Sequence, residues 1–103
     1  MEITLKHEGK EYTLTFTRDS VKRLERDGFR LDDIDTLPVN RISQFVKGAF
    51  FANHPDISDE LCDEIYLGIG KKRDFLFALA KMYNATVEPF FDNKGNANWT
   101  LKD

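Results

Sequence analysis

Ile3-Thr4-Leu5-Lys6-His7-Glu8-Gly9-Lys10-Glu11-Tyr12-Thr13-Leu14-Thr15-Phe16 alternates apolar and polar residues on both sides of one glycine, then runs without a linker into the helical stretch Thr17 to Asp27. Ile3 and Leu5 on one side, and Tyr12, Leu14 and Phe16 on the other, give each strand one apolar face. A two-residue turn at Gly9-Lys10 sets Leu5 against Leu14 and Ile3 against Phe16. A turn at Glu8-Gly9 sets Leu5 against Tyr12 and Ile3 against Leu14. Both keep the apolar faces together, whereas a three-residue loop would put Leu5 against Thr13 and mix them. A lone hairpin is marginal in water, so this one must lie on helices or gain a third strand.

The chain has 103 residues, 41% hydrophobic and 32% charged, which is enough for one core and is a globular balance rather than a disordered one. A net charge of -3 gives no electrostatic reason to expect nucleic acid. Basic residues cluster in Arg18, Lys22, Arg23 and Arg26, but Asp19 sits one helical turn from Arg23, as on a solvated helix face. Lys71-Lys72-Arg73 falls at a helix start, where the dipole disfavours cations, and is the better contact candidate. A single cysteine allows no internal disulfide and suits a reducing compartment. Met1-Glu2-Ile3 begins no signal peptide, and no stretch approaches the roughly 20 apolar residues of a membrane span, so a soluble, cytosolic protein is expected.

Thr17 reads as the N-cap of a first helix with Val21 and Leu24 inward and Gly28 ending it in a left-handed turn. Phe29 to Pro38 reads as a connecting loop. A second helix runs from about Pro38 or Asn40 to Asn53, with Ile42, Phe45, Val46, Ala49 and Phe50 on one stripe. After His54-Pro55, Asp56 or Ser58 caps a third helix with Leu61, Ile65 and Ile69 inward. Gly68-Ile69-Gly70 breaks the chain before a fourth, from about Lys72 to Thr86. Its wide stripe of Phe75, Leu76, Leu79, Ala80, Met82, Tyr83 and Val87 marks it as the central helix. The expected fold is α+β: an N-terminal β-hairpin packed against a bundle of about four helices. Residues 1–88 form one compact domain and 89–103 a polar, flexible tail, in which Trp99-Thr100-Leu101 could add a third short strand.

Catalytic and ligand motifs do not fit. Gly68-Ile69-Gly70-Lys71 lacks the first glycine of a phosphate loop, Ile65 standing in its place, and has Lys72 where a Ser or Thr is needed. Asp32, Asp33 and Asp35 lack the glycine and distal glutamate of a calcium loop and read as loop solvation. Cys62 sits beside an apolar stripe and reads as a small buried hydrophobe; His7 and His54 lie in a hairpin and at a helix end. Two histidines and one cysteine without paired spacing make a poor zinc set. The reading is a non-enzymatic domain without cofactor or metal.

Nine phenylalanines stand out. At 100° per residue, Phe51 projects nearly opposite the second helix's stripe, and Phe77 falls on the polar side of the fourth, near Lys81 and Asn84. They form either a second contact layer within the domain or, with Phe90, Phe91 and Trp99 in the tail, a patch for a protein partner.

Taken in order, the chain resembles the small tail assembly chaperones of long-tailed phages and prophages of Gram-positive bacteria. The resemblance is carried by Ile3-Thr4-Leu5, Gly9-Lys10-Glu11-Tyr12, Leu14-Thr15-Phe16, Arg18 to Leu24 with Glu25, Gly28-Phe29, and a helical end followed by Gly95-Asn96-Ala97-Asn98-Trp99. It implies a protein of the host cytoplasm that binds the tape measure protein and tail tube subunits until the tube polymerises, with homo-oligomerisation open and neither nucleic acid nor membrane as partner. The rival readings are a tail or connector component retained in the virion and a phage protein that binds a host cytosolic protein.

Overall fold

The computed structural model describes residues 1–103 as a two-stranded antiparallel hairpin followed by helices, the expected α+β arrangement. The strands are β1 (Ile3–His7) and β2 (Lys10–Leu14); the helices are α1 (Arg18–Arg26), α2 (Val39–Phe50), α3 (Asp59–Leu67) and α4 (Lys72–Val87). Of the two even loops, the structure uses Glu8-Gly9, so Leu5 faces Tyr12 and Ile3 faces Leu14. Both loop residues have positive φ, 50° and 78°, the turn whose twist matches the strands. Glu8 carries a side chain in the left-handed region, at a cost of roughly 1 kcal/mol.

Local chemistry sets both ends of α1. The Thr17 hydroxyl accepts from the Ser20 N–H at 3.1 Å, and the Ser20 hydroxyl accepts from the Thr17 N–H at 2.8 Å, a reciprocal box that uses two otherwise unpaired donors. At the other end Gly28, at φ 90°, turns the chain so that Gly28 N–H reaches the Glu25 carbonyl and Phe29 N–H the Leu24 carbonyl at 2.9 Å. This closure swings Phe29 back into the core, where it is fully buried. The stretch after α1 is therefore more than a connecting loop. It begins with a core residue and includes a short 3-10 turn, Ile34–Thr36, that buries Ile34 against the body. Asp33 caps that turn through the Asp35 N–H, and Asp35 pairs with Arg73 at 3.2 Å, so two of the three aspartates have structural roles.

The middle of the domain is α2 rather than α4. Phe45, Ala49 and Phe50 have no exposed surface, and α2 touches α1, α3 and β2. Phe45 stacks between Phe16 and Phe29, with centroids 5.3 and 5.1 Å away, while Tyr83 of α4 meets all three rings edge-on. Helices α1 and α2 meet at Gly48, where an added Cβ would lie 2.7 Å from a Leu24 methyl.

The end of α2 also closes one edge of the hairpin. In this register the Thr13 and Thr15 backbone groups point away from β1. Thr15 N–H donates to the Ala49 carbonyl at 3.0 Å, Thr13 N–H to His54 Nε2 at 3.1 Å, and the Asn53 amide to the Thr13 carbonyl at 3.1 Å. Two side chains and one helical carbonyl thus take the place of a third strand. Trp99-Thr100-Leu101 does not supply one: the sheet has two strands, and these residues are exposed and unpaired.

Ser58 caps α3 through the Leu61 N–H, with Asp59 and Glu60 in the first turn where the helix dipole favours anions. Lys71, at φ 52°, turns the chain into α4. Lys72 donates to the Ile69 carbonyl and Arg73 pairs with Asp35, so two of the three clustered cations are held within the domain. All buried residues fall between Tyr12 and Tyr83. The radius of gyration, 15.8 Å, exceeds the roughly 13 Å of a compact chain of this length because the exposed residues after the second 3-10 turn, Glu88–Phe90, add length without burial.

Gly48→Ala should destabilise the domain by about 1 kcal/mol, since crowding of roughly 1–3 kcal/mol outweighs a helix-propensity gain of about 1 kcal/mol. Denaturant titration of Leu24→Ala, Gly48→Ala and the double variant checks it: the alanine at 48 should become neutral or favourable once Leu24 is gone.

Candidate interaction surface

The five aromatic residues singled out by sequence fall into two environments. Phe51, at the end of α2, does not project freely. It lies half-buried in a groove of about 520 Å³ between α1, α2 and α3, whose floor includes Gly48 and Leu24. The Arg23 guanidinium lies over its ring, 4.3 Å from the centroid. Lys47 and Asp59 form an ion pair on the groove's wall, and Ser20, Asp27 and Asp63 also line it. The groove is therefore polar, with the cations Arg23 and Lys47 and the carboxylates of Asp27, Asp59 and Asp63 around one partly covered ring.

The other four are exposed. Phe77 projects from the outer face of α4 at 49% exposure, and Phe90, Phe91 and Trp99 reach 56%, 82% and 87%. Phe90 is the one tail ring with a charged neighbour, Arg18, at 5.9 Å. No two of the five rings stack on each other, so they are separate apolar points rather than one cluster. Helical periodicity placed Phe77 correctly. For Phe51 the structure takes the other alternative, a contact within the domain, and the cover comes from Arg23 on another helix, which periodicity does not identify.

The nucleophile and base candidates are engaged elsewhere. Cys62 is buried and burial pushes its thiol from 9.0 up to about 11, with Asp59 and Asp63 raising it further and Lys47 opposing. Burial also raises the phenols of Tyr66 and Tyr83, the latter with help from Glu25. His54 gives its Nε2 lone pair to Thr13 N–H, packed edge-on against Tyr12 and Phe50. His7 Nε2 lies 3.1 Å from Glu64 and 3.9 Å from Glu8. These three residues bring one nitrogen and two carboxylate oxygens within 4.8 Å of one another at an open, solvated position. Spacing could not show that, since Glu64 lies 57 residues from His7.

The domain of unknown function DUF5055 matches residues 1–102, and the chain belongs to that family. No curated protein and no solved structure matches it.

Two outcomes follow from this geometry. Phe77→Ser should cost less than ~1 kcal/mol and Phe51→Ser roughly 1–3 kcal/mol, both short of the ~3–5 kcal/mol expected for Phe45→Ala, as thermal or denaturant melts would show. Stability should also fall with alkali. The unfolded thiol loses its proton near 9.0 and the folded one near 11, so over that window the folded state holds more protons and loses stability as pH rises. Tyr66 and Tyr83 act in the same direction above 10.0. Denaturation from about pH 8 to about pH 11 should show a shallower decline in Cys62→Ala.

Proposed function

We propose that this DUF5055 member is a non-enzymatic tail assembly chaperone of a long-tailed phage or prophage, acting in the host cytoplasm on the tape measure protein and tail tube subunits. The observation that carries the reading is the set of uncovered aromatic side chains, Phe77, Phe90, Phe91 and Trp99, on a chain whose other large rings are packed into or against the core, except Phe51, which lies half-buried under Arg23. A chaperone for apolar helical surfaces needs such points: each offers a large contact area at low conformational cost. The likeness of the opening hairpin and the polar tail to those chaperones supplies the partner class. A binding role also agrees with the chemistry of the only cysteine and the histidines. The thiol is buried and held protonated, and both imidazoles are committed to structural contacts. No helix is long and apolar enough to cross a membrane, which is compatible with action in the cytoplasm.

Coexpression with a tape measure protein from the same phage or prophage should raise that partner's soluble fraction and yield a complex on size exclusion. A chain ending at Glu88 should keep its melting temperature, since nothing after Tyr83 is buried, but should solubilise the partner less. Recovery of the protein from purified virions would favour a retained tail component. No complex and no gain in solubility would overturn the chaperone reading.

A further inference from the structure

The two edges of the hairpin are treated differently. On β2, the outward groups of Thr13 and the Thr15 N–H are satisfied by His54, Asn53 and Ala49. On β1, the same hydrogen-bond alternation turns the N–H and C=O groups of Thr4 and Lys6 outward, and no strand, helix or side chain covers them. The apolar side chains of this strand are also unfinished: Ile3 and Leu5 are only partly buried, while their partners Leu14 and Tyr12 are buried. An open edge beside half-covered apolar residues is a template for another strand.

We infer that this strand is β1 of a second copy of this chain, paired antiparallel about a twofold axis at Thr4 to give a continuous four-stranded sheet. Charge selects this occupant and its register. With Thr4 opposite Thr4 of the second copy, Ile3 faces Leu5 on the core side, and Glu2 faces Lys6 on the outer side, twice by symmetry. Centring the pairing on Leu5 instead would set Glu2 against Glu8, and centring it on Lys6 would oppose two lysines. Shifts by one residue would put apolar side chains opposite polar ones. The hydroxyl of Thr15, donating to the Met1 carbonyl, holds the chain before β1 alongside β2 and so extends the edge through Glu2. In a monomer Lys6 faces one carboxylate, Glu11 across the hairpin; in the twofold register Glu2 of the second copy becomes its neighbour on the open side.

Light scattering of the full chain across micromolar to millimolar concentration tests this. The wild type should approach twice its 12.0 kDa mass. Glu2→Lys and Lys6→Glu should each weaken the dimer by about tenfold, because two attractive cross-strand pairs become repulsive. The double variant Glu2→Lys/Lys6→Glu should restore it. Thr4→Pro, which removes an outward N–H and leaves the β1–β2 ladder intact, should remain monomeric with an unchanged circular dichroism spectrum. Lys6 also faces Glu11 within the hairpin, so melting temperatures separate monomer destabilisation from lost association. A wild type that stays monomeric would overturn the proposal, as would a dimer indifferent to Thr4→Pro, or singles that the double does not rescue. So would a monomer that dimerises only after truncation at Glu88, since residues 99–101 would then be the occupant.

Discussion

Phe45 can stack between Phe16 and Phe29 only if three separate pieces of chain arrive together, and the rest of the structure depends on that demand. Phe16 comes from the exit of the hairpin, Phe29 from the turn behind α1, and Phe45 from the middle of α2, with Tyr83 of α4 closing the cluster from the side. Rings in such contact contribute about 0.5–1.5 kcal/mol per pair beyond the area they bury. The larger effect is positional: a ring cluster has few mutually compatible arrangements, so it sets where each element can lie. Thr86 reinforces this by donating to the Phe16 carbonyl, which ties α4 to the hairpin's exit.

Once that centre is in place, the small hairpin becomes tenable. Two strands alone bury too little, but here their apolar faces rest on helices and one backbone edge is saturated by the end of α2. His54 serves as a hydrogen-bond acceptor in this arrangement. The remaining edge and the uncovered rings of α4 and the tail are where the domain has surface left to offer. The first suits a strand of matching charge pattern, and the second a partner that presents apolar side chains.

Much of this was legible in the residues. Alternation located the hairpin and excluded an odd loop, and helical periodicity identified Phe45, Val46, Ala49 and Phe50 as core. Thr17, Gly28 and Ser58 marked helix ends by chemistry that acts within a few residues. The stretch after Gly28 was harder, because Phe29 and Ile34 follow no period and owe their burial to a turn and to the face it aims them at. Likewise α4 has the widest apolar stripe, yet α2 is the more enclosed. Stripe width reports how much surface needs covering, and not which neighbours arrive to cover it.

The sequence by itself determined the α+β class, the elements and most of their caps, because those follow from contacts over two to four residues. Only the tertiary structure decided which aromatic residues remain exposed and which hairpin edge stays open. Arg23 covers Phe51 from another helix, and Asn53 and His54 reach Thr13 from 40 and 41 residues away. Such contacts depend on where whole elements dock. That is a property of the packed core as a unit, and no local pattern contains it.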